Sequence, residues 1–321
     1  ARAAGAVVHV VPGGDPRASV PTIEELSKNG DAKVIALGSA FGNDQRLGSR
    51  LAVVRTGVQL PGGGQTLFPG RRMVALYGHP GTASLGVLGE QPVEEAIKRA
   101  KETAAQYAAL SDRPVVPTFE IIATIASGAA GKDGDYSAEA DIEHLRPWVD
   151  AAREAGVYVL LDLQPGTTDF LSQAKRYSEL LEQPHVGLAL DPEWRLKPGQ
   201  RHMRQIGSVD VAEVNATASW LAELTRKKNL PQKLFVVHQF RLSMIAGREK
   251  LQTAHDELAV MIHADGNGTP GEKLATWRAV RANAPAGVSW GWKNFYDEDR
   301  PTFSPKQTYE VEPVPDLVTY Q

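Results

Sequence analysis

The sequence predicts an α/β protein of the TIM type, a (β/α) barrel, and three observations carry that expectation. Strand-like segments recur seven times from about residue 71 onward, mostly with a helical segment between them. The strands read as near-continuous apolar runs rather than alternating ones, as expected of parallel strands covered on both faces. No GxGxxG follows the first of them, which weighs against a dinucleotide-binding sheet. An open doubly wound sheet is the second architecture the alternation allows. A length of 321 residues suits one large barrel domain.

Residues 1–70 read as an N-terminal extension lying on the barrel, and residues 71–321 as the barrel domain. The extension is rich in Gly and Pro, with strand-like runs at Ala6–Val11, Lys33–Phe41 and Arg50–Val58. The segment LPGGGQTLFPGRR interrupts any regular element. Met73–Pro80 is the first barrel strand. In the helix expected over Pro92–Leu110, Pro92 suits the first turn, and Val93, Ala96, Ile97, Ala100, Ala104 and Tyr107 share one face. Val115–Ser127 is a strand, and the helix Asp141–Gly156 ends on a capping glycine. Strand Tyr158–Gly166, helix Thr168–Pro184 and strand Val186–Trp194 follow. Asp210 caps the next helix, with Glu213 three residues on as its capping-box partner. Lys233–Phe240 and Leu258–Gly266 are strands, and Thr269-Pro270-Gly271-Glu272 opens another helix as cap, first-turn proline and capping-box acid. Gly287–Phe295 is the seventh strand, before an acidic, Pro-rich tail. The eighth strand is not evident: the extension supplies it, residues 241–257 supply it, or it is missing.

Composition narrows the functional classes. A net charge of −3 without basic runs gives no pull toward nucleic acid or anionic membrane. With no cysteine, disulfides, thiolate metal sites and a cysteine nucleophile are excluded. No apolar run approaches the ~20 residues of a membrane span. GxSxG and phosphate-cradling glycine motifs are absent. The chain opens at Ala1 rather than Met, so removal of an upstream segment is expected.

Barrel chemistry belongs at the C-terminal strand ends. Strand by strand that edge carries Tyr77 and His79; Glu120; Asp162 and Gln164; Asp191, Glu193, Trp194 and Arg195; His238 and Gln239; His263 and Asp265; and Trp290, Trp292, Lys293 and Asn294. If the strand persists to Glu193, Asp191 and Glu193 share a face, and each raises the other's pKa. The alternative is a turn in which Glu193 pairs with Arg195 on the surface. Glu120 and Asp162 sit within apolar runs and need partners, Arg195 or Lys293 for Glu120. Asp265 beside Gly266 fits either a site or an ordinary turn. Trp290 and Trp292 fit either a sugar platform or the core. His79, His238 and His263 raise a metal site, although neither HxH nor HExxH spacing occurs.

The segments YGHPG, FEIIATIAS, LLDLQPG, LALDPEWRLKPGQ, HQFRLSM, IHADG and WGWKNFYDED together resemble a family of uncharacterised actinobacterial proteins predicted to be secreted or lipid-anchored. The resemblance covers most of residues 70–321 and implies an extracellular or cell-surface location. A link to glycoside hydrolases is analogy at the level of fold.

The residue pattern leads to a glycan-directed hydrolase acting through paired carboxyl groups, with a polysaccharide or oligosaccharide ligand and no cofactor. Glu193 is the expected general acid, and Asp191, Glu120 or Asp162 the second group. His79, Tyr77, Gln164, Arg195, His238, Gln239, His263, Asp265, Trp290, Trp292 and Lys293 are the expected substrate-binding set. A metal-dependent hydrolase built on the strand-end histidines and acids is the alternative, and a non-catalytic glycan-binding surface barrel a third class. Oligomeric state is not legible.

Overall fold

The computed structural model describes residues 5–42 and 46–321; residues 1–4 and 43–45 of the extension lie outside it. The strands are β1 (Arg72–Gly78), β2 (Val115–Ala126), β3 (Ser137–Glu139), β4 (Tyr158–Leu163), β5 (Val186–Leu190), β6 (Val209–Asp210), β7 (Lys233–Gln239), β8 (Ile245–Ala246), β9 (Leu258–Ala264), β10 (Ser289–Asn294) and β11 (Leu317–Tyr320). Eight of them close into a parallel barrel in the order β1-β2-β4-β5-β7-β9-β10-β11, and β11 returns to β1. The chain is therefore a TIM-type barrel. β3 adds antiparallel to β2 beyond the barrel rim, and β6 and β8 pair by themselves.

The continuous apolar runs have a physical origin in two separate cores. Met73, Ala75, Leu160, Ala189, Leu234, Val236, Met261 and Leu317 fill the barrel interior. Their chain neighbours, among them Val74, Leu76, Leu161, Leu188, Phe235 and Val318, meet the surrounding helices. Both faces of each strand are buried, so no polar alternation is left to see. The seven expected barrel strands all form. The eighth is β11, inside the stretch read as an acidic tail, and neither the extension nor residues 241–257 supplies it.

Helices follow in chain order: α1 (Val20–Lys28), α2 (Arg46–Arg55), α3 (Val93–Ala108), α4 (Ile142–Ala155), α5 (Phe170–Arg176), α6 (Ser178–Leu181), α7 (Val211–Lys227), α8 (Pro270–Arg281) and α9 (Pro305–Tyr309). In α3 the predicted stripe is the buried face, with Ala96, Ala100, Ala104 and Tyr107 fully covered. α4 ends at Gly156, whose φ of 71° is the left-handed geometry that favours glycine. α8 starts with the full Thr269–Glu272 capping box. α7 is capped by Asp210 alone, because Glu213 is turned to Arg195 instead.

The strand-like runs of the extension do not form strands. Arg50–Val58 is largely α2, because Leu51 and Val54 stack at helical spacing on Ile23 and Leu26 of α1. Residues 6–11 and 33–38 find no ladder partner and stay irregular, with Ile35 and Leu37 exposed. Leu60, Leu67 and Phe68 close the interior core from below. Arg17 and Arg50 pair with Asp256 in the loop before β9. Among the described residues no helix is long and apolar enough to cross a membrane.

Candidate active site

The interior apolar layers stop short of the C-terminal rim, and an ionisable layer replaces them there. It contains Tyr77, Glu120, Asp162, Asp191, His238, His263, Asp265 and Lys293, all buried. Gly291 makes room for it, since a Cβ at that position would lie 2.3 Å from the His263 ring.

His238 organises the layer. Its Nε2 donates to Glu120 Oε1 at 2.7 Å and its Nδ1 to Asp265 Oδ2 at 2.9 Å. Burial opposes a charged imidazole, but the Glu120 and Asp265 carboxylates outweigh it and lift the pKa well above the ordinary histidine value. With both ring nitrogens donating, His238 is an imidazolium. Lys293 Nζ lies 3.2 Å from Asp265 Oδ1 and 3.7 Å from the centre of the Tyr77 ring. Burial would lower its pKa, yet Asp265 and the acids around it hold it above the usual lysine value. Tyr77 donates to Asp162 Oδ2 at 2.9 Å, and Gln164 Nε2 donates to the Tyr77 hydroxyl at 3.2 Å. His263 sits 4.7 Å from His238, ring to ring, and bonds Thr319 of β11. Burial and the His238 charge keep it neutral.

Two cations thus serve five carboxyl groups, and the shortfall divides the acids. Burial pushes Asp265 upward, but Lys293 and His238 override it and hold it below the ordinary carboxylate range. Burial and Asp265 raise Glu193 to about 7. Burial raises Asp162 to about 7, His238 notwithstanding. Burial and Glu193 put Asp191 well above its usual value.

A cavity of about 730 Å³ opens over this layer, lined by Tyr77, Gln164, Glu193, Trp194, Asp265 and Lys293 among others. Glu120 and Asp162 lie beneath it, each with no exposed surface. The strand β5 ends at Leu190, and Pro192–Trp194 forms a tight 3-10 turn. Asp191 and Glu193 nevertheless converge: one oxygen from each, and one from Asp265, lie within 4.8 Å of one another. Surface pairing of Glu193 with Arg195 does not occur.

Several expected site residues lie elsewhere. The Arg195 guanidinium binds Glu213 at 2.9 Å together with loop carbonyls, so it ties the loop to α7. His79 leaves the barrel axis where Gly78 bends the chain; its Nδ1 meets Ile122 O, and its ring stacks on His144 of α4. Gln239 is the outward neighbour of His238 and receives a hydrogen bond from Arg248. Trp290 and Trp292 face α8, where both pack on Trp277. They are core rather than platform, because the inward positions of β10 are Gly291 and Lys293. Of the three strand-end histidines, His238 and His263 lie together, and His79 is turned away to Ile122 and His144. A mixed site of histidine and acids keeps its geometry: Glu120, Asp162 and His238, and separately Asp191, Glu193 and Asp265, each bring ligand atoms within 4.8 Å of one another. Loop residues completing the cavity, including Phe240, Arg241, Asn267, Phe295 and Glu298, carry no periodic sequence signal.

No protein-family profile matches the chain, and no curated protein matches it in sequence. Solved structures with a similar fold include a proposed dihydrodipicolinate synthetase from Pseudomonas aeruginosa, at 10% identity over 78% of this chain and 70% of that one, with a TM-score of 0.38. A cellobiohydrolase from Humicola insolens is similar at 12% identity over 87% and 72% of the chains, with a TM-score of 0.30. A glycoside hydrolase family 6 enzyme from Coprinopsis cinerea is similar at 14% identity over 87% and 69%, with a TM-score of 0.29. Likeness at this level carries no information about chemistry.

Proposed function

We propose that this barrel is a glycan-directed hydrolase in which Glu193 is the general acid and Asp265 the nucleophile. One observation carries the reading: the two carboxyl groups line one cavity and are shifted in opposite directions, Glu193 up to about 7 and Asp265 below the ordinary range. A glycosidase needs that division, a protonated acid for the leaving oxygen and an ionised carboxylate at the anomeric carbon. Asp265 takes the second role in place of Asp191, Glu120 or Asp162. Asp191 is pushed toward its neutral form, while Glu120 and Asp162 lie below the cavity floor.

The oxygens of Glu193 and Asp265 lie within 4.8 Å. That bound on their nearest oxygens is below the roughly 6.5–9.5 Å separation that leaves room for an inverting water, which favours the retaining course. In the retaining sequence Asp265 forms a glycosyl ester as Glu193 protonates the departing hydroxyl. Glu193 then takes a proton from water as it cleaves the ester. Lys293 and His238 keep Asp265 ionised beforehand. An extracellular or cell-surface setting with polysaccharide at hand belongs to the same proposal.

The test is release of reducing sugar from cell-wall polysaccharides by the parent protein and by Glu193→Gln and Asp265→Asn. Each substitution is expected to lower kcat by a factor of about 10²–10⁴. Full activity in both variants would sink the assignment. Oligosaccharide binding by the parent without any turnover would make the barrel a binding protein instead.

A further inference from the structure

A second, smaller cavity of about 230 Å³ adjoins the first and shares Ser84, Glu298 and Gln321 with it. The two are parts of one cleft that runs from Glu193 and Asp265 across the ends of β10 and β11. Tyr296 stands in the smaller part, just beyond Phe295 of the main cavity wall. Its ring stacks on Tyr320 at 5.2 Å with the planes 25° apart, and its backbone N–H donates to the Gln321 carbonyl. One face of the ring is therefore covered and its position fixed at both side chain and backbone. Tyr296 is 45% exposed, at the start of an exposed turn with Asp297 and Glu298 just past the end of β10.

We infer that this part of the cleft is a second sugar subsite, with Tyr296 as its stacking platform, and that the substrate is a chain of neutral sugar units lying across both cavities. The inference rests on the hydrolase reading above for the direction of the chain, while the subsite itself stands on the shape and composition of the cleft. A pyranose ring offers an apolar face to an aromatic ring and a rim of hydroxyls to polar groups. Ser84, Glu298, Asp297 and Gln321 supply such groups around Tyr296. The sign of the charge argues against acidic sugars. Arg99, the cation of this lining, is engaged by Glu90, Gln91 and the Tyr296 side chain, and among the described residues neither Asp297 nor Glu298 forms an ion pair. A uronate placed there would face uncompensated carboxylates.

The experiment uses β-1,4-linked glucose and N-acetylglucosamine oligomers of increasing length. Parent, Tyr296→Ala and Tyr296→Phe are compared by kcat/KM and by calorimetric affinity. In the parent, kcat/KM and affinity are expected to rise at least about tenfold once the oligomer is long enough to reach Tyr296. Tyr296→Ala removes that gain, and Tyr296→Phe keeps it because the ring face is unchanged. The inference is overturned if the parent shows no length dependence, if Tyr296→Ala leaves the gain intact, or if neither oligomer series binds. Length-dependent binding without turnover by any oligomer would instead count against the hydrolase reading and leave the subsite standing.

Discussion

Glu193 is the residue at which stability and chemistry conflict. Its side chain is largely withdrawn from water and held beside Asp265, so the neutral form is favoured in the folded protein and its pKa rises from the usual 4.5 to about 7. Between those two values the folded chain binds a proton that the unfolded chain has lost, so stability falls as pH rises through the window and stays lower above it. The shift corresponds to a ceiling of ~3 kcal/mol, and relaxation and partial exposure reduce it to about 2 kcal/mol. Glu193→Gln is therefore expected to be more stable than the parent by about that amount at pH 8, with little difference at pH 4.5, as read by urea denaturation at each pH. In the proposed hydrolase the same proton sets activity: kcat/KM should fall above about pH 7 as Glu193 ionises, while Asp265, held low, keeps the acid limb flat well into acidic pH. A profile that rises through pH 7 would contradict the acid role. Glu193 could be singled out in the sequence because it stands with Asp191 in the charged stretch that ends an apolar run. Asp265 could not be given its role, because an acid before glycine reads as a turn and the cations that hold it ionised, His238 and Lys293, arrive from strands 27 and 28 residues away. Arg195 is lost to an ion pair with Glu213, and the other misplaced residues to local backbone geometry. At a strand end the pleat decides which side chain enters the barrel, and a bend at Gly78 or a one-residue change of parity sends His79, Gln239, Trp290 and Trp292 outward.

At the scale of elements, the seven longer strands were legible because each buries both faces and so reads as an unbroken apolar run. β11 was not. It is only four residues long and follows Pro301, Pro305, Pro313 and Pro315, a composition that signals a tail. Only the closure of the barrel identifies it: between β10 and β1 it completes the ring and brings Thr319 to His263. The opposite error occurred in the extension, where a short apolar run was ambiguous between strand and helix until a partner helix decided it. β11 should therefore carry a disproportionate share of stability. Leu317 is fully buried in the interior core, and Leu317→Ala is expected to cost about 3 kcal/mol in denaturant unfolding. A loss below about 1 kcal/mol would mean that the strand merely covers a barrel already closed by its neighbours.

Across the whole molecule the two ends of the barrel are divided by function. The C-terminal end holds the ionisable layer and the cleft, at a cost in buried charge. The N-terminal end is sealed by apolar side chains of residues 60–68 and by polar ties to the preceding segment: Gln65 accepts from Gln232 and donates to Arg17 through the backbone, and Arg17 and Arg50 converge on Asp256. The side chain of Asp256 is only 15% exposed, so each of these charges relies on the others for solvation. Asp256→Asn removes one of the two anions that Arg17 and Arg50 share, the one that ties them to the barrel, and leaves only Asp15 of their own segment. Expected is a local release of residues 5–58 while the barrel, closed by its own ladder and by Leu60 and Leu67, stays folded. Limited proteolysis should then cut the N-terminal segment about tenfold faster in the variant, the factor matching a local opening easier by about 1.4 kcal/mol. Sugar release should be unchanged, because the site lies at the opposite rim. Equal cleavage rates would show that the apolar seal alone holds the segment, and a parallel loss of activity would show that the two ends of the barrel are coupled.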